Sequence, residues 1–337
     1  MASRTRAAGH VEGPGNGLAD DGAAADALVD GLLAGDRRAL ARVLTRIEDG
    51  ASDVVRAVVR RLHPHTGRGA LVGITGAPGA GKSTLVNALI ASWRARGTTV
   101  GVVAVDPSSP FSGGALLGDR VRMQDHVLDE GVFVRSMASR GQLGGLSWTT
   151  PQALLALDAA GYDRIVIETV GVGQAEVEVA ALADTTVVVV APGMGDAIQA
   201  AKAGILEVAD IFCVNKADRP GATRTARELR ELQALGDANG PDRPIVSTSA
   251  STDGGIDELR VAIDAHHDAM VADDRLQARR CARARLQIRE LALGAVRERA
   301  LAVTGARGLD ELAAAVARRE LDPYSAADTL LAALDTG

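Results

Sequence analysis

The stretch GITGAPGAGKSTLV (Gly73–Val86) sets four small residues, a lysine and two hydroxyls between two apolar runs. It fits G-x-x-x-x-G-K-[ST], with Gly76, Gly81, Lys82 and Ser83 in the fixed places. Such a loop lets backbone N–H groups close around phosphate oxygens, while the following helix points its positive end at them. The lysine reaches the terminal phosphates and the hydroxyl serves Mg²⁺. A glycine-rich turn without a ligand is the plain alternative, and the context counts against it. ALVGIT (Ala70–Thr75) reads as a buried strand, and Ser83–Arg96 reads as a helix with apolar residues at Leu85, Leu89 and Trp93. Residues Gly76, Ala77, Pro78, Gly79, Ala80, Gly81, Lys82, Ser83 and Thr84 are therefore candidate nucleotide ligands.

Working outward, apolar runs recur at Thr99–Asp106, Val132–Met137, Arg164–Thr169, Thr185–Ala191, Ile211–Asn215 and Ile245–Ser249. Nearly all are continuous, which predicts strands covered on both faces in a parallel α/β sheet. Helical patterns fall between them at Pro151–Ala160, Ala197–Val208 and Thr223–Leu235. Mixed three- and four-residue apolar spacings make Asp26–Leu62 helical, and everything after Gly255 reads as helix. The expected organisation is a disordered tail over 1–25, a helical segment over 26–66, a nucleotide-binding domain over 67–270 and a helical arm over 271–337.

Composition narrows the function. A net charge of −6 gives no case for a nucleic-acid partner. No apolar run approaches the roughly 18 residues that span a bilayer, and the first residues lack an apolar signal core, so a cytoplasmic protein is expected. The two cysteines, Cys213 and Cys281, match no metal spacing and are expected to be buried small hydrophobes.

VNKAD (Val214–Asp218) follows a strand and fits N-K-x-D through Asn215, Lys216 and Asp218. One carboxylate can accept from both guanine N1–H and its exocyclic amine. Adenine would leave that carboxylate unpaired, which a buried polar site penalises heavily. Lys216 is expected along the base plane. Ser249 and Ala250 follow the next strand, where a backbone contact to the base oxygen belongs. Together these features point to GTP and GDP rather than ATP.

IVIETVGVGQAEVE (Ile165–Glu178) leaves a strand at Glu168, an acid placed to hold Mg²⁺ through water, and Gly171 can offer its N–H to the terminal phosphate. Val172 stands where a water-positioning glutamine often lies, and Gln174 is a weak substitute, so intrinsic hydrolysis should be slow. Asp106 and Asp119 are further metal candidates, although Asp119 could equally be a helix N-cap. Arg140 and the trio Asp196, Gln199 and Lys202 are candidate ligand or partner contacts, or ordinary surface residues.

GAPGAGKST, VDPSSPFSGGALLGDRVRM, SRGQLGG, ETVGVGQAEVEV, GDAIQAAKAGILEVAD and NKAD together resemble the MeaB/ArgK family of P-loop GTPases. The resemblance runs from about Leu28 to Leu334. It implies a SIMIBI-type sheet and a homodimer through the C-terminal helices. It also implies a G-protein chaperone that serves an adenosylcobalamin-dependent acyl-CoA mutase, above all methylmalonyl-CoA mutase, gating cofactor loading and protecting or rescuing the enzyme. By the same resemblance Ser83, Asp106, Asp119 and Glu168 surround Mg²⁺. Lys82, Glu168 and Lys202 serve hydrolysis, with Lys202 in a segment that the mutase moves. A nickel metallochaperone would need more than the pairs His63/His65 and His266/His267, and a kinase would need a phosphoacceptor site that the sequence does not offer.

Overall fold

A computed structural model describes residues 17–49, 52–107, 126, 128–139, 149–169, 175–193, 208–236, 243–303 and 308–335. The chain divides into two compact units, Met1–Asp273 and Asp274–Gly337.

The first unit opens with helices α1 (Gly17–Leu33), α2 (Arg37–Asp49) and α3 (Ser52–Leu62). α1 thus begins inside the stretch expected to lack structure. Its sequence GLADDGAAADALVDGLL supplies enough alanine and leucine to sustain helix upstream of Asp26. Strand β1 (Ala70–Gly76) and helix α4 (Lys82–Arg94) bracket the glycine loop. There follow β2 (Val100–Pro107), β3 (Val132–Ser139), α5 (Thr149–Ala159), β4 (Arg164–Thr169), α6 (Ala175–Leu182) and β5 (Thr185–Val190). Next come β6 (Ile211–Val214), α7 (Ala222–Gly236), β7 (Ile245–Ser247) and α8 (Ile256–Ala272). The helix expected over 197–208 falls almost wholly outside the described residues.

The seven strands form one sheet in the order β3-β2-β4-β1-β5-β6-β7, every pairing parallel. All carboxyl ends therefore lie along one edge. After β1 the chain runs outward through β2 and β3, returns as β4 beside β1, and then crosses to β5. A crevice at such a reversal is where open α/β sheets bind ligands. It lies at the end of β1, where the glycine loop begins.

Both sheet faces are buried, and adjacent residues of one strand serve opposite cores. Val103, Ile165 and Ile167 pack with Val43, Leu44, Leu154 and Leu157 beneath the N-terminal helices and α5. Val102 and Val166 pack with Leu85, Leu89, Trp93, Leu259 and Ile263 beneath α4 and α8. A smaller cluster joins Phe212 and Val214 to Ala226 and Leu229 of α7. The N-terminal helices thus share the core of the nucleotide-binding unit. Two links bolt α2 to the sheet edge. Arg37 donates to the carbonyls of Asp129 (2.8 Å) and Val132 (2.6 Å), and Arg135 of β3 pairs with Glu48. Asp158 of α5 fixes the entry to β1 by accepting from the backbone N–H of Gly67 (2.6 Å), Arg68 (3.2 Å) and Gly69 (2.8 Å). Hydrogen bonds to a charged acceptor contribute about 1.5–3 kcal/mol each.

The second unit contains α9 (Arg275–Ala302), α10 (Leu309–Ala317) and α11 (Pro323–Asp335). No residue of α9 is buried. The expectation that both cysteines are buried fails here for Cys281, which is exposed on α9, while Cys213 is buried in β6. Residue type does not settle burial on a helix whose residues all stay at least partly exposed. Among the described residues, no helix is long and apolar enough to cross a membrane.

Candidate functional site

The loop after β1 adopts backbone conformations that only glycine adopts without strain. Gly76 has φ +134°, and a Cβ there would run into the Val189 carbonyl of β5. Gly81 has φ +90° and caps α4, and a Cβ there would lie 2.6 Å from Asn215 Nδ2. Pro78 and Gly79 are exposed, whereas Ala80, Lys82 and Ser83 are buried; Thr84 is exposed in the first turn of α4. The Lys82 ammonium curls back to donate to the carbonyls of Gly76 (2.7 Å) and Ala77 (3.1 Å). Its charge is thereby held inside the loop before any phosphate arrives.

Glu168 is the next-to-last residue of β4 and pairs in register with Ile74 of β1 on one side and Ala104 of β2 on the other. That register brings its carboxylate beneath the first turn of α4. The Ser83 hydroxyl donates to Glu168 Oε1 at 2.6 Å, and the two residues are 9% and 3% exposed. A buried hydroxyl and carboxylate converging at a phosphate loop are hard oxygen donors of the kind Mg²⁺ takes. Asp106 lies at the end of β2, next to β4, and its backbone reaches the same edge. Its side chain lies outside the described residues, as do Asp119, Arg140, Gly171, Val172, Gln174, Asp196, Gln199 and Lys202.

The base motif meets the phosphate loop directly. Asn215 Nδ2 donates to the Ala80 carbonyl at 2.9 Å, and Lys216 Nζ donates to the Gly79 carbonyl at 2.6 Å. Lys216 adopts φ +59°, which turns the chain so that Asp218 faces the next loop. There the Ser249 hydroxyl donates to Asp218 Oδ1 at 2.6 Å. This bond, chiefly, holds the Asp218 carboxyl below the usual carboxylate range. It leaves the second oxygen and further lone pairs to accept from a base. The Ala250 N–H, expected at the base oxygen, here donates to Asn215 Oδ1 at 3.2 Å.

Thr248 escaped the reading of the sequence. Its hydroxyl donates to Asn215 Oδ1 at 3.1 Å and lies 3.2 Å from Cys213 Sγ. Asn215 is thus oriented from behind, with its amide N–H₂ turned to the loop. Burial pushes the Cys213 thiol up to about 12, so it stays neutral. The only signal in the sequence was the position of Thr248 one residue before Ser249.

Comparison with known proteins fits this geometry. Residues 40–305 match the family model described as methylmalonyl-CoA mutase-associated GTPase MeaB. A Pyrococcus abyssi protein named as a GTPase is 46% identical over 91% of this chain and 95% of its own. The GTPase ArgK of Escherichia coli is 39% identical over 73% of this chain and 77% of its own. Mouse "methylmalonic aciduria type A homolog, mitochondrial" is 34% identical over 76% of this chain and 66% of its own. Among solved structures, one titled LAO/AO transport system kinase covers 91% of this chain and 96% of its own, with 28% identity and a TM-score of 0.68.

Proposed function

The chain belongs to the MeaB family of P-loop GTPases, and from that premise we propose that it is a chaperone of an adenosylcobalamin-dependent acyl-CoA mutase, with methylmalonyl-CoA mutase as the default partner. The observation that carries this reading is the reach of the mutase-associated GTPase model. It matches residues 40–305, from within α2 past the end of α9. A likeness confined to the phosphate loop and N-K-x-D would stop within the sheet.

In this reading guanine lies against Asp218 and Ala250, and the phosphates enter the loop from Gly76 to Thr84 at the positive end of α4. Lys82 meets the terminal phosphates. Ser83 and Glu168, with Asp106 and Asp119, would hold Mg²⁺, which when bound offsets phosphate charge. Water attacks the γ-phosphorus, the bond to the bridging oxygen breaks, and GDP and phosphate leave. The protein works in the cytoplasm, and GTP turnover gates the loading of cobalamin into the mutase. A direct test measures adenosylcobalamin uptake by apo-mutase with GTP, GDP or a non-hydrolysable GTP analogue. Uptake is expected to depend on which nucleotide is bound. Equal uptake with and without the protein, in every nucleotide state, would remove the chaperone reading and leave the GTPase standing.

The second unit is the homodimer arm in this account. α9 exposes Ile288, Leu291, Leu293 and Leu301, and a second copy offers them cover. Light scattering on the full chain is expected to give a dimer. Deletion of Arg279–Gly337 is expected to give a monomer that still binds GTP, because the sheet is complete at Ser247. A monomeric full-length protein would refute the arm.

A further inference from the structure

The outer face of α2 carries an arginine stripe that the fold itself does not use. Arg38, Arg42 and Arg46 recur every fourth residue and are exposed, while Ala39, Leu40, Val43, Leu44 and Ile47 of the same helix are buried. None of the three guanidinium groups has a hydrogen bond or ion pair among the described residues. Two other arginines nearby are committed. Arg37 is spent on backbone carbonyls, and Arg61 pairs with Asp26 and Asp30. On α3, Arg56 and Arg60 repeat the unpaired four-residue spacing.

This arrangement costs stability. Like charges four apart on a helix repel by about 0.2–0.5 kcal/mol per pair. Arg38 also sits in the first turn, where α2 has no acidic residue and the helix dipole opposes a cation. An ordinary solvated face alternates its signs, as α7 does through Arg224–Glu228 and Arg227–Glu231. Residues 37–68 hold eight arginines against three acids, in a chain whose net charge is −6. Positive charge is therefore concentrated on this patch of an acidic protein, as it is again over α9, where residues 275–302 hold eight arginines against two acids.

We propose that the Arg38–Arg42–Arg46 face of α2 is a docking surface for an acidic face of the mutase; the inference rests on the mutase reading above. Two features favour a protein over a lipid or a nucleic acid. Among the described residues, no large hydrophobic side chain of α2 or α3 is exposed to enter a bilayer. The patch also carries no aromatic residue on which a base could stack. Exposed cations attract an acidic protein face through salt-screened charge, which arginine and lysine share.

The test uses the full chain, the purified mutase of the same organism, and association measured at roughly 50 to 300 mM salt, a range over which surface charge is progressively screened. Three proteins are compared: the parent, the Arg38→Glu/Arg42→Glu/Arg46→Glu variant, and the matching triple lysine variant. The parent's affinity is expected to fall with salt. The glutamate variant is expected to bind at least about 10-fold more weakly at low salt, with a flattened salt dependence, and the lysine variant to stay within about 3-fold. Basal GTP turnover and the thermal midpoint of both variants should match the parent, which separates docking from folding. If the glutamate variant binds the mutase as tightly as the parent, this inference falls and the mutase reading stands. If the parent does not bind the mutase at all, both fall. Retention of the parent on duplex DNA or on phosphatidylglycerol vesicles, without mutase binding, would assign the stripe to those partners and overturn the proposal.

Discussion

Lys82→Ala is expected to abolish GTP hydrolysis and to weaken nucleotide binding. The ammonium group is only 5% exposed with its residue and is already tied to the Gly76 and Ala77 carbonyls. A charge held this way needs no reorganisation when phosphate arrives, which is what makes preorganised electrostatics effective. Losing one such group costs about 10²–10³ in turnover even where others remain. In phosphoryl transfer little else lowers the barrier, so the loss here should sit at or beyond the upper end of that range. Single-turnover hydrolysis of labelled GTP reads the effect, and circular dichroism checks that the variant folds. Turnover equal to the parent would remove the assignment of the phosphate loop.

Asp218→Asn is expected to reverse the choice of base. The parent carboxylate accepts from N1–H and the exocyclic amine of guanine. An asparagine amide instead matches the 2-oxo group and N1–H of xanthine. Sites that pair a buried polar group with one ligand reject the mismatched ligand by about 10⁴–10⁵. Asp218 is at the open mouth of its loop, so a loss of about 10³ for GTP is the reasonable expectation on the same grounds. The Ser249 hydroxyl, at 2.6 Å, keeps the parent carboxylate ionised throughout the neutral range. Competition against a fluorescent guanine nucleotide, with GTP, xanthosine triphosphate and ATP as competitors, measures the switch. ATP binding the parent as well as GTP does would contradict the role given to N-K-x-D.

The sheet was legible because its strands are buried on both faces. ALVGIT, RIVIET and TTVVVV are continuous apolar runs, since each residue faces one core or the other, and β1, β4 and β5 fall within a residue of the expected bounds. The phosphate loop was legible because close backbone approach requires glycine at Gly76 and Gly81, a demand that leaves a pattern in the sequence. Contacts between remote segments leave no such pattern. Thr248 orients Asn215 from just beyond β7, and Ser249 reaches Asp218 across a loop, yet each is an ordinary hydroxyl in the sequence. Amphipathic periodicity in the N-terminal helices shows that a face is buried, not what buries it. Here Val43, Leu44 and Ile47 join Ile165 and Leu157 in one core.

GTP turnover with and without the cognate mutase tests the account most directly. The sequence places Val172, not glutamine, after Gly171, so turnover of the protein alone should be slow. Saturating mutase is expected to raise the rate several-fold, and Lys202→Ala to remove most of that rise while leaving nucleotide affinity nearly unchanged. A rate that stays at its basal value at every mutase concentration, with no complex formed, would contradict the central claim.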